Sequence, residues 1–273
     1  MKIRFTLMMI ASMAFISQAA TVQQIQVHSD AMNKDVPVSV IFPESYKSGD
    51  TRYPVIYMLH GAGGNHTTFL SPITLGMVDQ YNVIAICPDG ARTSWWLDSP
   101  IDPTMKYETF VAKELVAYVD KNLRTLAQRE KRGITGGSMG GHGACYVAFK
   151  NKAVFGAIGN IYGGVDMRPF PENWDIKLRL GTQKDNPKNW EDFSVVTLAK
   201  EVKDGDFAIL TMVGNKDFFL GVNRAFNQIL QNNNVQHYYI EAKGAHTHEF
   251  AAEAIPVMFR FITTYFTEGK GHL

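Results

Sequence analysis

The chain has 273 residues, 45% of them hydrophobic and 19% charged, with a formal net charge of +1. That is enough apolar material for one sizeable core, and a charge so near zero excludes the basic surface that nucleic acid would require. No linker or internal repeat divides the chain, so a single domain is expected after its entry segment.

The entry segment is residues 1–19, read as a secretory signal peptide. Lys2 and Arg4 precede an apolar run from Phe5 to Ile16, and Ser17-Gln18-Ala19 is a small-x-small cleavage site. The run is too short to span a bilayer, and an uncleaved anchor is the alternative. Cleavage after Ala19 removes two positive charges and no acid, taking +1 to −1. The working domain, 20–273, is then secreted or periplasmic, with no stable membrane association.

From Thr21 to Ile41 two alternating runs, Val22, Ile25, Val27 and Val36, Val38, Val40, flank the turn-like Asp30 to Asn33, which predicts an antiparallel pair at a sheet edge. Tyr53 to Leu59 is a continuous apolar run of the kind buried on both faces, and it empties into His60-Gly61-Ala62-Gly63-Gly64. Thr67 to Gln80 reads as helical, and Val83 to Ile86 as the next strand. The loop after it carries Trp95 and Trp96, expected either at a pocket mouth or in the core. Thr109 to Leu126 shows helical spacing of Phe110, Val111, Leu115, Tyr118, Val119 and Leu123.

Gly136-Gly137-Ser138-Met139-Gly140 follows, fitting a nucleophile elbow: a strand ends, the chain turns sharply through a strained serine, and a helix begins. Ile134-Thr135 can close the strand, and Gly143 to Lys150 can form the helix. An elbow of the α/β-hydrolase kind demands a glycine loop before it, then an acid and a histidine after it, each following a strand. Ala62 and Met139 would supply the two backbone N–H groups of an oxyanion hole, each donor worth roughly 3 kcal/mol. His60 precedes the nucleophile, so it fits a loop-fixing hydrogen-bonder or a substrate contact better than a base.

Phe155 to Tyr162 is expected as a strand, and residues 163–205 as a polar excursion that either covers the site or forms a surface loop. The strand Phe207 to Val213 ends at Asp217, the position of the acid; Asp204 and Asp206 lie at its wrong end, Asp185 and Asp192 in the excursion. After a helix over Asn223 to Gln231 and a last strand over Val235 to Glu241 come two histidines. His246 directly follows Gly244-Ala245 and is the expected base, whereas His248 opens the closing helix and is a candidate pocket-wall residue. Cys87 and Cys145 sit in apolar surroundings that suit buried small hydrophobes better than a bridge. No Cys/His cluster has zinc-ligand spacing, so neither metal nor other cofactor is implied.

The whole constellation resembles the esterase family of the esterase D type, which includes S-formylglutathione hydrolases, feruloyl and acetyl xylan esterases, short-chain esterases and mycolyltransferases. The residues that carry it are Leu59-His60-Gly61-Ala62-Gly63-Gly64, Pro88-Asp89-Gly90, Ser94-Trp95, Asp98-Ser99-Pro100, Glu114-Leu115, Tyr118-Val119-Asp120, Gly137-Ser138-Met139-Gly140-Gly141 and Gly244-Ala245-His246. The resemblance implies an α/β-hydrolase: a mostly parallel sheet with helices on both faces, no large separate cap, and a Ser138-Asp217-His246 acyl hydrolase. Family members often carry an aromatic residue where this chain has His248, and the signal segment argues against the cytosolic S-formylglutathione branch. The expected partner is a small-molecule or glycan ester, such as an acetylated or feruloylated carbohydrate. Acyl transfer to a sugar or alcohol, and a catalytically silent binding protein of the same fold, are the alternatives.

Overall fold

The computed structural model describes residues 20–271; the signal peptide expected at 1–19 lies outside them. Eight strands form one sheet: β1 (Thr21–Ser29), β2 (Lys34–Phe42), β3 (Val55–Leu59), β4 (Ile84–Pro88), β5 (Arg132–Gly137), β6 (Ala157–Ile161), β7 (Ala208–Gly214) and β8 (Tyr238–Ala242). Their order is β1-β2-β4-β3-β5-β6-β7-β8. β1 pairs antiparallel with β2, as the alternating entry runs predict, and β2 pairs antiparallel with β4. All the remaining neighbours are parallel.

Parallel pairing explains the continuous apolar runs, since such strands are covered on both faces. Along β3, Val55, Tyr57 and Leu59 face the layer that holds Phe110, Val119 and the helix Met139–Lys150. Ile56 and Met58 face the opposite layer, built by the helices Pro72–Tyr81 and His248–Glu268. The architecture is thus the expected α/β-hydrolase sheet with helices on both faces. Cys87 and Cys145 are buried and free, one in each layer, so the sheet separates them. Burial pushes the Cys87 thiol up to about 12, which keeps it protonated.

Two helix boundaries differ from the periodicity. The helix expected from Thr67 begins at Pro72, because the Asn65 side chain accepts the Thr67 N–H at 2.8 Å in a local turn, and Ser71 then caps the helix by accepting the Thr74 N–H at 3.2 Å. Proline at the first helical position suits that start. The helix expected to reach Leu126 ends at Asn122, and Thr125 instead bridges to Tyr53 beside the sheet.

The excursion neither forms a separate cap nor floats on the surface. Its short helices Ile176–Leu180, Pro187–Asp192 and Val195–Leu198 bury Ile176, Leu180, Trp190 and Val195 in the main core.

Candidate active site

β5 is the centre of the site. All six of its residues are buried, and the chain returns to partial exposure at Ser138. Ser138 has φ 59° and ψ −120°, a sparsely populated conformation that lifts its hydroxyl above the strand ends. The turn is possible only with glycines around it: a methyl group on Gly136 or Gly140 would overlap the carbonyl oxygen of Leu59. Gly140→Ala is therefore expected to destabilise the fold by about 3 kcal/mol, through overpacking against backbone that cannot yield. Gly76, in the helix Pro72–Tyr81, has open space at its Cβ, so Gly76→Ala should be neutral or stabilising. Denaturant midpoints of the two variants check the contrast.

The loops after β7 and β8 deliver the other two groups, and backbone bonds tie those loops together. The Lys216 N–H donates to the Gly244 carbonyl and the Asn215 N–H to the Ala242 carbonyl, both at 2.8 Å. The Asp217 side chain is fully buried; its Oδ1 accepts the Phe219 N–H at 2.7 Å and its Oδ2 lies 2.9 Å from Nδ1 of His246. The Nε2 of His246 lies 2.8 Å from the Ser138 Oγ. Because a carboxylate only accepts, Nδ1 carries the imidazole proton, leaving Nε2 a lone pair directed at the serine hydroxyl. The rival acids are engaged elsewhere: Asp204 accepts the Gln236 N–H, Asp206 pairs with Lys152, Asp185 with Thr182 and Asp192 with Lys188.

Two rings fix the imidazole of His246. Tyr162, with φ 38° just past β6, has its ring centroid 4.3 Å away, and Phe218 stacks on His246 at 4.2 Å and 30°. Tyr162 is itself held by donating its hydroxyl to the Thr247 carbonyl at 3.2 Å. Neither ring was singled out by sequence pattern. Phe218 stands next to Asp217 in the chain, and that adjacency was the available signal.

The glycine loop after β3 reaches Ser138. A Cβ on Gly61 would sit 3.2 Å from the Ser138 Cβ, so Ala62 lies one residue beyond that contact. Met139 is the first residue of the elbow helix, where backbone N–H groups lack intrahelical partners. His60 is buried: its Nε2 accepts the Gly90 N–H at 2.8 Å, and its Nδ1 donates to the Gly61 carbonyl at 2.8 Å. Both nitrogens are occupied and burial lowers its pKa, so His60 is a neutral brace of the loop rather than a substrate contact.

The pocket-mouth expectation for Trp95 and Trp96 is corrected. They are 1% and 0% exposed, because successive positive φ values of 55° and 59° turn both rings inward. Trp96 donates its indole N–H to the His60 carbonyl at 3.1 Å and lies against Gly90 and Gly143; Trp95 donates to the Trp174 carbonyl at 3.1 Å. No face of either indole is free for a ligand. His248 is exposed at the start of the closing helix, which Thr247 caps by accepting the Phe250 N–H. The site's exposed aromatic surface belongs instead to Phe218, 50% exposed, on which Trp174 of the excursion stacks at 5.5 Å and 20°.

Comparison with known proteins places this geometry. An acetyl esterase of Caldicellulosiruptor saccharolyticus is 26% identical over 273 aligned residues, covering 89% of this chain and 98% of the relative. An esterase of Mycobacterium tuberculosis is 32% identical over 137 residues, 48% of this chain; the match spans only 30% of that relative's length, as it does for its counterpart from a second strain. In fold, the chain matches a ferulic acid esterase with a TM-score of 0.77 at 23% identity, covering 90% of this chain and 99% of the other. It matches the S-formylglutathione hydrolase from Agrobacterium tumefaciens with a TM-score of 0.78 at 18% identity, covering 92% and 97%. The family model described as "Putative esterase" matches residues 29–261, most of the described sheet and all three residues of the hydrogen-bonded row, and the chain accordingly belongs to that family of ester hydrolases.

Proposed function

We propose that this chain is a serine carboxylic ester hydrolase in which Ser138 is the nucleophile, His246 the base and Asp217 the acid that orients it. The observation that carries this reading is the unbroken row from Asp217 Oδ2 through His246 to Ser138 Oγ, at 2.9 and 2.8 Å. The serine oxygen attacks the ester carbonyl carbon while its proton passes to Nε2. The N–H groups of Ala62 and Met139 hold the resulting oxyanion, and Asp217 offsets the positive charge on the ring. Collapse of the tetrahedral adduct breaks the ester C–O bond, and the departing alcohol takes the proton from Nε2. Water, deprotonated by the same nitrogen, then attacks the acyl-serine and releases the acid, restoring the hydroxyl.

The substrates proposed are short-chain acyl esters of carbohydrates. In support, one relative is named an acetyl esterase, and another, 28% identical over 160 residues, is an endo-1,4-beta-xylanase/feruloyl esterase of Xylanibacter ruminicola. The chain is proposed to act as one domain, 20–273, outside the cytoplasm. No described helix is long and apolar enough to cross a membrane. The buried Ala20 donates its N–H to the Asp79 carboxylate at 2.6 Å, a contact that would become an ion pair if cleavage after Ala19 freed the Ala20 amine.

A fluorophosphonate should label Ser138 covalently. Mass spectrometry of the peptide containing Ser138 checks this. No adduct at neutral pH would mark a silent binding protein of the same fold. A labelled enzyme that passes its acyl group mainly to added sugar or alcohol would be a transferase.

A further inference from the structure

The strand order puts the glycine loop and the His246 row on opposite sides of Ser138. β3, with the glycine loop, flanks β5 on one side, while β6, β7 and β8 lie on the other and carry Tyr162, Asp217 and His246. If the carbonyl oxygen turns toward the glycine loop, the leaving alcohol must lie on the His246 side, because the same Nε2 returns the proton to it. The half-exposed Phe218, stacked on His246, and the Trp174 stacked on it therefore border the alcohol half of the substrate.

Trp174 is held there against its backbone preference. Trp174 and Asp175 have φ of 46° and 55°, uncommon for any side chain and more so for one this bulky. Tertiary bonds impose the conformation: the Trp95 indole N–H donates to the Trp174 carbonyl, and the Thr93 hydroxyl donates to the Asp175 carboxylate, each at 3.1 Å. Strain of this kind persists only where the surroundings over-determine it, and it gathers at ligand clamps. Exposed Asn173 and Asp175 flank Trp174 in the chain, and Thr93 donates to Oδ2 of Asp175 rather than to Oδ1. Flat apolar ring area beside a chain segment that carries an amide and a carboxylate suits a sugar ring better than a plain alkyl alcohol.

We propose that Trp174 and Phe218 form the alcohol-side subsite, a rigid aromatic platform on which a sugar ring of an acylated carbohydrate rests during deacylation of that sugar. The proposal rests on the ester-hydrolase reading of Ser138 and adds the residues that would select the leaving group. Trp95, buried behind Trp174, is a positioning residue for it.

The test compares two esters with the same acyl group, an acetylated xylo-oligosaccharide and ethyl acetate, and a third with a bulky acyl group, methyl ferulate, in wild type, Trp174→Ala, Trp174→Phe and Phe218→Ala. 4-Nitrophenyl acetate is unsuitable as the control, since its leaving group is itself a flat ring. The ratio of kcat/KM for the sugar ester over ethyl acetate should fall about tenfold in Trp174→Ala, mainly through KM, and Trp174→Phe should recover part of it. Phe218→Ala should lower the ratio as well. Equal losses on both esters would overturn the proposal, leaving Phe218 and Trp174 as mere props for His246. Losses confined to methyl ferulate would put the acyl group on the platform and overturn it too, as would a wild type that cleaves ethyl acetate but no acetylated sugar. A wild type inactive on both esters and unlabelled by fluorophosphonate would remove the hydrolase reading and this proposal together.

Discussion

Ser138→Ala is expected to cut kcat on a short acyl ester by a factor on the order of 10⁴ or more, with little change in fold. The size follows from what the hydroxyl does: without an attacking oxygen there is no acyl-enzyme, and the remaining donors can assist only direct attack by water. The variant should fold because alanine keeps the Cβ that the strained φ of 59° already accommodates, and removes an oxygen from a half-exposed position. KM should move little if that oxygen bonds mainly in the transition state. Near-wild-type turnover in a variant of normal thermal stability would refute the assignment of the nucleophile.

His246→Ala should lose activity to a comparable degree, while His248→Ala should cost less than about threefold. Effects within a concerted row are not additive, so the Ser138→Ala, His246→Ala double variant should be scarcely worse than either single one. Only His246 bridges Asp217 and Ser138, and His248 is exposed on the first turn of the closing helix. Asp217→Asn should fall between them, since an amide can present its N–H to Nδ1 and hold the ring in the wrong tautomer. Steady-state rates on ethyl acetate for the four variants give the ranking, and a larger loss at His248 than at His246 would move the base.

Much of the fold was legible because its signals are local. β3 and β4 are unbroken apolar runs and β7 is interrupted only by Thr211, and each leads into a loop rich in glycine, proline or polar residues. Gly136 and Gly140 announce the elbow because no other residue fits against Leu59. The three groups singled out by chain order are those that lie in one hydrogen-bonded row, since in a parallel sheet every strand exit falls at the same end. What composition could not show was the direction of loop rings. Trp95 and Trp96 turn inward through two successive positive φ values, which no hydropathy pattern encodes. Trp174 reaches Phe218 across 44 residues of chain, in a conformation set by Trp95 and Thr93 rather than by its own neighbours. Trp96 showed the same limit: the glycine loop and the bracing role of His60 are visible in sequence, but the indole that holds the His60 carbonyl comes from the next strand's exit.

The position of His246 between Tyr162 and Phe218 bears on how fast the enzyme can repeat its cycle. An unconstrained imidazole samples several side-chain rotamers, and selecting one at each proton transfer would cost up to about 1 kcal/mol in entropy. Here the ring packs against Tyr162 at 4.3 Å, Phe218 at 4.2 Å and Phe219 at 5.4 Å, the first anchored through its hydroxyl, so that ordering is met once, on folding. In the proposed mechanism the same imidazole would serve four proton transfers per turnover, two accepting and two donating. A ring that never has to search for its orientation returns to each of them from the same geometry.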